Sequence, residues 1–450
     1  MTSVKKLSSF HQFLIYTLIF LNGYKLILPI DISDEARSIS ISLPIWATNF
    51  EIHGVFLSDF LFLIYFLVFG IRFHKQIFKG KIVMIFFYLI VGLYMAGVFS
   101  TLVNFEIFSD YLEATRLATL GLFFVCAVWW TELFGEIIVL RIFIIGLIVS
   151  GGINLYFTFF FSLRLLGGLP QLLGQNGPGG SAGFLVFVGA WFFIISKKMT
   201  DKLLSILFLV LFVFILIISF SKLGMLMGAC GVVAFVAALF VAPSFKVLRN
   251  QMLILTLVFL SFIIWLTKTE KGQILIDGAS TFYYYKLGTD GAGIVEKEGG
   301  DEERLYYFFG VGEVFINNPI FGVGYNGFGP AVSKTKAHSS GKMSDEDSFV
   351  NANPHNAFLY YISANGIIGW ILIVMMYLTF LFIFYKTFIP FGVSGIIIFF
   401  SIMLASVIHT NTLISFFNTT IMYFPTAIAV STIQQRINFK RLNNTQSLTV

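Results

Sequence analysis

Long apolar runs separated by polar connections dominate the chain. An α-helix needs about 20 mainly apolar residues to cross the hydrocarbon core of a bilayer, and most of these runs reach or approach that length. The pattern predicts an all-α polytopic membrane protein with about twelve transmembrane helices. Their predicted cores are residues 12–30, 55–72, 82–103, 110–130, 137–161, 183–196, 203–220, 223–243, 252–267, 357–385, 391–409 and 413–432.

Basic residues gather in alternate connections. On that side of the membrane the only acidic residues are Glu132, Glu136 and Asp201. Cytoplasmic loops of membrane proteins carry an excess of Lys and Arg, so this side is predicted to be the cytoplasm, with both termini in it. The basic residues are Lys5, Lys6, Arg72, Lys75, Lys79, Lys81, Arg141, Lys197, Lys198, Lys202, Lys246, Arg249, Lys386, Arg436, Lys440 and Arg441.

One connection on the opposite side is far longer than the others, and it covers residues 268–354. Two tracts rich in Gly and Ser flank a predicted helix that follows Asp301 and stops at Asn318-Pro319. This loop is the only segment large enough to form a small extramembrane subdomain with short helices. Residues 1–267 would then hold helices 1–9, residues 355–432 would hold helices 10–12, and residues 433–450 would form a cytoplasmic tail.

Composition excludes several classes of protein. With 57% hydrophobic and 12% charged residues, the chain is not a soluble domain. The net charge of +6 does not indicate nucleic-acid binding, because the basic residues lie beside membrane spans. Cys126 and Cys230 lie inside apolar runs, which argues against a disulfide framework or a thiolate metal site. No His, Asp or Glu cluster has metal-ligand spacing, so we predict a metal-independent function without a cofactor.

The end of the long loop carries a strong helix-start signal. Asn353 suits the N-cap and Pro354 the first helical position, which places His355 and Asn356 in the first turn. The positive end of the helix dipole attracts anions there and disfavours a protonated imidazole, so His355 is a candidate base. A buried structural histidine is the alternative interpretation, and His409 is the next candidate base.

Three cations on the predicted outer side are candidate phosphate ligands. Lys222 lies between two apolar runs that almost touch, where it is either a snorkelling anchor or a charge aimed at a phosphate. Arg164 precedes a glycine-rich loop and either grips a phosphate or forms a loop ion pair. Arg304 begins the helical part of the long loop, where an active-site role competes with pairing to its acidic neighbours.

These residues form a pattern that resembles a known family. The pattern consists of Arg304, Asn318-Pro319-Ile320-Phe321-Gly322-Val323-Gly324, Pro354-His355-Asn356-Ala357-Phe358-Leu359 and Gly366-Ile367-Ile368-Gly369. Over roughly residues 300–375, it resembles the conserved block of the O-antigen ligase and O-antigen polymerase superfamily. The predicted twelve spans and the late long loop agree with that resemblance.

The resemblance implies a GT-C type glycosyltransferase of the bacterial inner membrane that uses an undecaprenyl-diphosphate-linked glycan as donor at the periplasmic face. His355 matches the histidine that activates the acceptor hydroxyl, and Arg304 matches an arginine that holds the diphosphate. Lys222 stands in a Ser-Lys pair where the family has Ser-Arg, which keeps the charge but loses the two-pronged grip. Arg164 resembles a third element, and with Asn356 it completes the expected diphosphate site.

The acceptor distinguishes the alternatives within this superfamily. We favour a polymerase of lipid-linked surface polysaccharide, from the bias towards Phe, Ile, Lys and Asn and from the lack of an added C-terminal domain. A ligase that transfers glycan to lipid A core and a protein O-oligosaccharyltransferase are the alternatives. A polysaccharide transporter or flippase is the alternative of a different class. The expected partners are the lipid-linked donor, a glycan acceptor, membrane lipid and a chain-length regulator, but no nucleic acid.

Overall fold

The computed structural model describes residues 7–24, 51–52, 55–104, 108–157, 176–218, 257, 261, 264, 268, 310–324, 327–335, 357–391 and 424–435. Within these residues the chain is helical, apart from the two-residue strands β1 (Glu51–Ile52) and β2 (Val55–Phe56), which pair antiparallel. The helices are α1 (Ser9–Tyr24), α2 (Leu57–Tyr65), a π-helical turn (Phe66–Gly70), α3 (Ile71–Ile77), α4 (Lys81–Asn104), α5 (Phe108–Phe134), α6 (Glu136–Phe157), α7 (Asn176–Ile195), α8 (Met199–Ile218), α9 (310–317), α10 (Phe328–Val332), α11 (Ala357–Phe391) and α12 (424–435).

Five segments in the described part of the chain are long and apolar enough to cross a membrane. They are Asp59–Ile77, Lys81–Asn104, Glu136–Ile153, Met199–Leu216 and Phe358–Met376. The prediction of a helical membrane protein is therefore confirmed. The predicted spans at 223–243, 252–267, 391–409 and 413–432 lie wholly or largely outside the described residues. The count of twelve spans and the division around the long loop consequently stay predictions.

Helices α1 and α6 pack with their backbones nearly in contact. A Cβ atom on Gly23 would collide with the carbonyl oxygen of Phe143, and one on Gly146 would collide with that of Phe20. Small residues allow this approach, which gives helices in lipid the van der Waals contact that drives their association. The close packing of α1 and α6 therefore requires glycine at positions 23 and 146.

Aromatic side chains fill the centre of the helix bundle. Phe123 of α5 packs against Phe62 and Trp130, with ring centroids 5.2 Å and 5.6 Å apart. Phe424 reaches the same cluster, with its ring centroid 5.6 Å from that of Phe123 and 4.8 Å from that of Phe143. Residues 424–435, far along the chain, thus form part of the core built by α2, α5 and α6.

Polar contacts join several elements at one end of the bundle. Arg141 at the start of α6 makes two hydrogen bonds to the carboxylate of Asp201 at the start of α8, with lengths of 2.7 Å and 2.8 Å. In α12, the hydroxyl of Thr432 donates to Glu136, and the amide of Gln434 donates to the Lys79 carbonyl. These contacts gather residues that the sequence assigns to the cytoplasmic side.

Helix α4 links that end of the bundle to the opposite one. Its 24 residues extend from Lys81 to Asn104, about 36 Å at the rise of an α-helix. Helix α11 lies antiparallel to it, because Gly92 faces Leu372 while Ser100 bonds to Ala364. The first turns of α11 therefore lie at the end of α4 that is remote from Lys81.

Candidate functional site

All five predicted site residues lie outside the residues that the structure describes. They are Arg164, Lys222, Arg304, His355 and Asn356. The alternative histidine, His409, also lies outside. The structure describes two helices that adjoin three of these residues in the chain. Helix α9 begins six residues after Arg304, and α11 begins directly after His355 and Asn356. The roles assigned to these five side chains stay predictions.

Helix α11 is broken after its first turns. Gly366 has φ 62° and ψ −156°, a conformation that is essentially restricted to glycine. A Cβ at this position would also collide with the carbonyl group of Ile320. The predicted span with its core at 357–385 covers this segment, but an apolar pattern does not reveal a single-residue break within it.

The turn after α9 supplies partners for the backbone groups that the break releases. The Ile367 amide donates to the Pro319 carbonyl over 2.9 Å. In the other direction, the Val323 and Gly324 amides donate to the carbonyls of Ser363 and Ala364, each over 2.9 Å. Buried or lipid-exposed backbone groups must be paired, so the turn and the broken helix stabilise each other.

A second glycine lets the two backbones approach each other. Gly322 has φ 68°, and a Cβ there would collide with the backbone of Ser363 and Ala364. The two glycine-containing motifs of the sequence, Gly322-Val323-Gly324 and Gly366-Ile367-Ile368-Gly369, are thereby brought together. Sequence reasoning noted both motifs, but it did not predict that they pair.

The contact between residues 319–324 and residues 363–367 is called the junction below. Helix α4 binds to both of its parts. The buried Ser100 hydroxyl donates to the Ala364 carbonyl over 2.7 Å. The Asn104 amide donates over 3.0 Å to the Gly322 carbonyl and over 2.7 Å to the Ser100 carbonyl of its own helix. One pair of α4 side chains thus holds both α11 and the turn after α9. Sequence reasoning missed both residues, since polar residues near the end of an apolar span carry no signal of their own.

A small apolar core completes the attachment. Val311 and Val314 of α9 pack with Val323, Phe328 and Val332, and these five side chains are buried. Leu359 and Ile362 of α11 pack against the same cluster. The 310–335 region therefore folds onto the first turns of α11, which follow His355 directly in the chain.

The structure also describes a buried histidine that the sequence analysis did not consider. His11 is 3% exposed, and its Nε2 lies 2.9 Å from the Tyr65 hydroxyl. Its ring stacks on Phe69 with a centroid distance of 4.3 Å. These contacts satisfy the imidazole by packing and hydrogen bonding, which is the arrangement of a structural histidine. Among the described residues, no group of three or more His, Cys, Asp or Glu is arranged to hold a metal.

Replacing Gly366 by alanine tests the break in α11. We expect Gly366→Ala to lower the free energy of unfolding by about 1–3 kcal/mol from backbone strain alone, with a further loss from the Ile320 contact. Gly312→Ala is the matched control, because a Cβ at Gly312 meets nothing within 4 Å. The measurement is thermal unfolding of both variants in detergent. Equal unfolding temperatures for the two variants would contradict the requirement for glycine at 366.

Replacing Ser100 by alanine tests the fastening by α4. Loss of one net hydrogen bond of about 1 kcal/mol should raise local amide exchange in residues 319–324 and 359–367 by about five-fold. Thr101→Val is the control, because the equally buried Thr101 hydroxyl bonds only to Gly97 within its own helix, over 3.0 Å. Hydrogen exchange followed by mass spectrometry makes the comparison. The fastening is refuted if both variants exchange at the same rate.

One comparison with known proteins adds to this geometry. The O-antigen ligase family model matches residues 207–374, which include Lys222, Arg304, His355 and the paired glycine motifs but not Arg164. No curated protein sequence matches the chain. The match confirms the resemblance noted from the motifs: over this region the chain is similar to the O-antigen ligase family, within the superfamily of O-antigen ligases and polymerases.

Proposed function

We propose that this protein is a membrane glycosyltransferase that polymerises lipid-linked repeat units of a surface polysaccharide. The observation that carries the proposal is the O-antigen ligase family match over residues 207–374, the region in which the glycine motifs pair beside α11. The donor would be a glycan on undecaprenyl diphosphate, and the acceptor would be a sugar hydroxyl of a second lipid-linked glycan.

The proposed reaction needs one base and several fixed cations. His355 takes the proton of the acceptor hydroxyl, whose oxygen bonds to the donor sugar C1 while the bond from C1 to the phosphate oxygen breaks. The electron pair of the broken bond leaves with the diphosphate. Arg304, Lys222 and Arg164 neutralise the charge that develops on it, and Asn356 donates to a phosphate oxygen. A diphosphate is a good leaving group, so this chemistry requires neither a metal nor a cofactor.

The described framework supports this assignment of roles. Arg304 and His355 belong to two arms of the chain, one leading into α9 and the other into α11. The hydrogen bonds of Val323 and Gly324 to α11 join the two helices into which those arms lead. Because small displacements of catalytic groups cost large factors in rate, a rigid junction beside the arms suits a transferase.

The proposed topology places the chemistry on the periplasmic side of the inner membrane. Both termini would lie in the cytoplasm, and residues 268–354 would form the periplasmic loop. The supporting geometry is that α4 separates the Asn104 junction from the basic Lys81 end by about 36 Å, which exceeds the hydrocarbon thickness of about 30 Å.

A ligase is the second candidate, because the matching family model is described as O-antigen ligase. It would transfer the finished glycan to lipid A core, and a protein O-oligosaccharyltransferase would transfer it to a protein hydroxyl. All three reactions use the same donor and the same catalytic groups. A flippase would instead move the lipid-linked glycan without breaking the bond from C1 to phosphate.

Replacing the proposed base should abolish the reaction. We expect His355→Ala to remove polysaccharide chain elongation in cells while the protein still accumulates in the membrane. His74→Ala is the matched control, because His74 is exposed and, among the described residues, its Nδ1 bonds to the Ile71 carbonyl of its own helix over 2.8 Å. Gel electrophoresis of the surface polysaccharide gives the readout. A ladder of normal length from the His355 variant would refute the assignment.

Deleting the gene separates the acceptor classes. A polymerase should leave single repeat units attached to core, because ligation continues without elongation. A ligase should leave bare core and an accumulated lipid-linked polymer. Trapping of unpolymerised lipid-linked units on the cytoplasmic face would indicate a flippase and would overturn the transferase proposal. The gel and an extract of lipid-linked glycan distinguish these results.

A further inference from the structure

The end of α9 and the turn after it expose apolar side chains outside the predicted spans. We call residues 316–320 the tip. Ile316 is 74% exposed and Ile320 is 55% exposed, although Val311 and Val314 on the same helix are buried in the small core. Ile316 thus lies on a different side of the helix from the packed valines, and within the described part of the chain this side is open.

The exposed residues of the tip continue an exposed apolar surface of α11. The Pro319 carbonyl accepts from the Ile367 amide, and the Ile320 backbone lies against Gly366. From this point α11 exposes a row of large apolar side chains, the first four of which belong to the candidate membrane span Phe358–Met376. The row consists of Ile367, Ile368, Ile371, Met375, Leu378 and Phe382, which are 37% to 60% exposed.

The level of the tip corresponds to the edge of the hydrocarbon layer. Ser100, which bonds to α11 two residues before Gly366, lies about 28 Å along α4 from Lys81. The hydrocarbon core of a bilayer is about 30 Å thick. Trp370, which is 36% exposed, lies one helical turn beyond the break, and exposed tryptophans favour the membrane interface.

The backbone of the tip is suited to contact with lipid. The Asn318 amide donates to the Val314 carbonyl, and the Asn318 carbonyl accepts from the Gly322 amide, each over 3.1 Å. The Pro319 carbonyl has its partner in Ile367, and proline has no amide hydrogen. Pairing of the Asn318 and Pro319 groups lowers the cost of bringing this non-helical backbone near the acyl chains.

We propose that the tip inserts Ile316 and Ile320 into the boundary between headgroups and acyl chains of the bilayer. The partner is membrane lipid, and the tip anchors the 310–335 region to the membrane surface. This inference does not depend on the proposed glycosyl transfer. It follows from the exposed isoleucines, their continuity with α11 and the pairing of the Asn318 and Pro319 backbone groups.

Fluorescence quenching in lipid vesicles tests the proposal. Ile316→Cys and Ile320→Cys are labelled with bimane in the otherwise unchanged full-length protein, and the protein without an added cysteine supplies the background. Leu378→Cys, on the exposed face of α11, is the control for lipid contact. Lys334→Cys is the control for water contact, because Lys334 is exposed in the same region of the loop. The vesicles contain phosphatidylcholine with brominated acyl chains, and iodide is the quencher in water.

We expect the bromines to quench bimane at both isoleucine positions at least half as strongly as at position 378, and iodide to quench strongly only at position 334. Strong iodide quenching at 316 or 320 would overturn the proposal. Protection from both quenchers would also overturn it, because it would indicate that a protein surface or a second copy covers the tip. Thermal unfolding of each labelled variant verifies that the fold is retained. Because the side chains of Ile316 and Ile320 are exposed, replacing both by serine should lower the unfolding temperature no more than Lys334→Ser does.

Discussion

The need to pair every backbone polar group in a medium without water controls the most informative part of this structure. Gly366 interrupts α11 and releases carbonyls and an amide that the helix would otherwise pair. A turn about 40 residues earlier in the sequence supplies partners for these backbone groups. The partners are the Pro319 carbonyl and the Val323 and Gly324 amides. Neither the broken helix nor the turn is satisfied alone. Their association is therefore specific, in contrast to apolar packing, which tolerates many arrangements.

For the proposed transferase, this junction would separate the chemistry from the positioning of the groups that perform it. Three of the side chains proposed for chemistry, Arg304, His355 and Asn356, shortly precede α9 and α11 in the chain. The groups that hold those segments are backbone amides, two glycines and the Ser100 and Asn104 side chains of a membrane-spanning helix. In the proposed reaction, this junction would hold in place the helices that follow Arg304 and His355 in the chain.

Much of the fold could be predicted from the sequence, because a helix that crosses a membrane needs a long apolar run. The predicted core at 82–103 corresponds to Lys81–Asn104, and the one at 203–220 corresponds closely to Met199–Ile218. The break at Gly366 could not be predicted, because one glycine in an apolar helix usually packs without changing the backbone. The link from Ser100 to Ala364 joins residues far apart in the chain, and no local pattern encodes it. The chemistry of His355 and Arg304 was inferred from motif and helix-start signals, and it lies beyond the residues that the structure describes.

The contact between α1 and α6 has a consequence for how the protein is made. Gly23 and Gly146 permit an approach that leaves no room for lipid between the two backbones. During synthesis, however, α1 leaves the ribosome four helices before α6 exists. The glycine face of α1, together with the amide side chain of Asn22 beside it, must therefore spend that interval against lipid or against the insertion machinery. The contact between α1 and α6 can form only after α6 arrives, and the aromatic centre is completed later still, when residues 424–435 bring Phe424 into it.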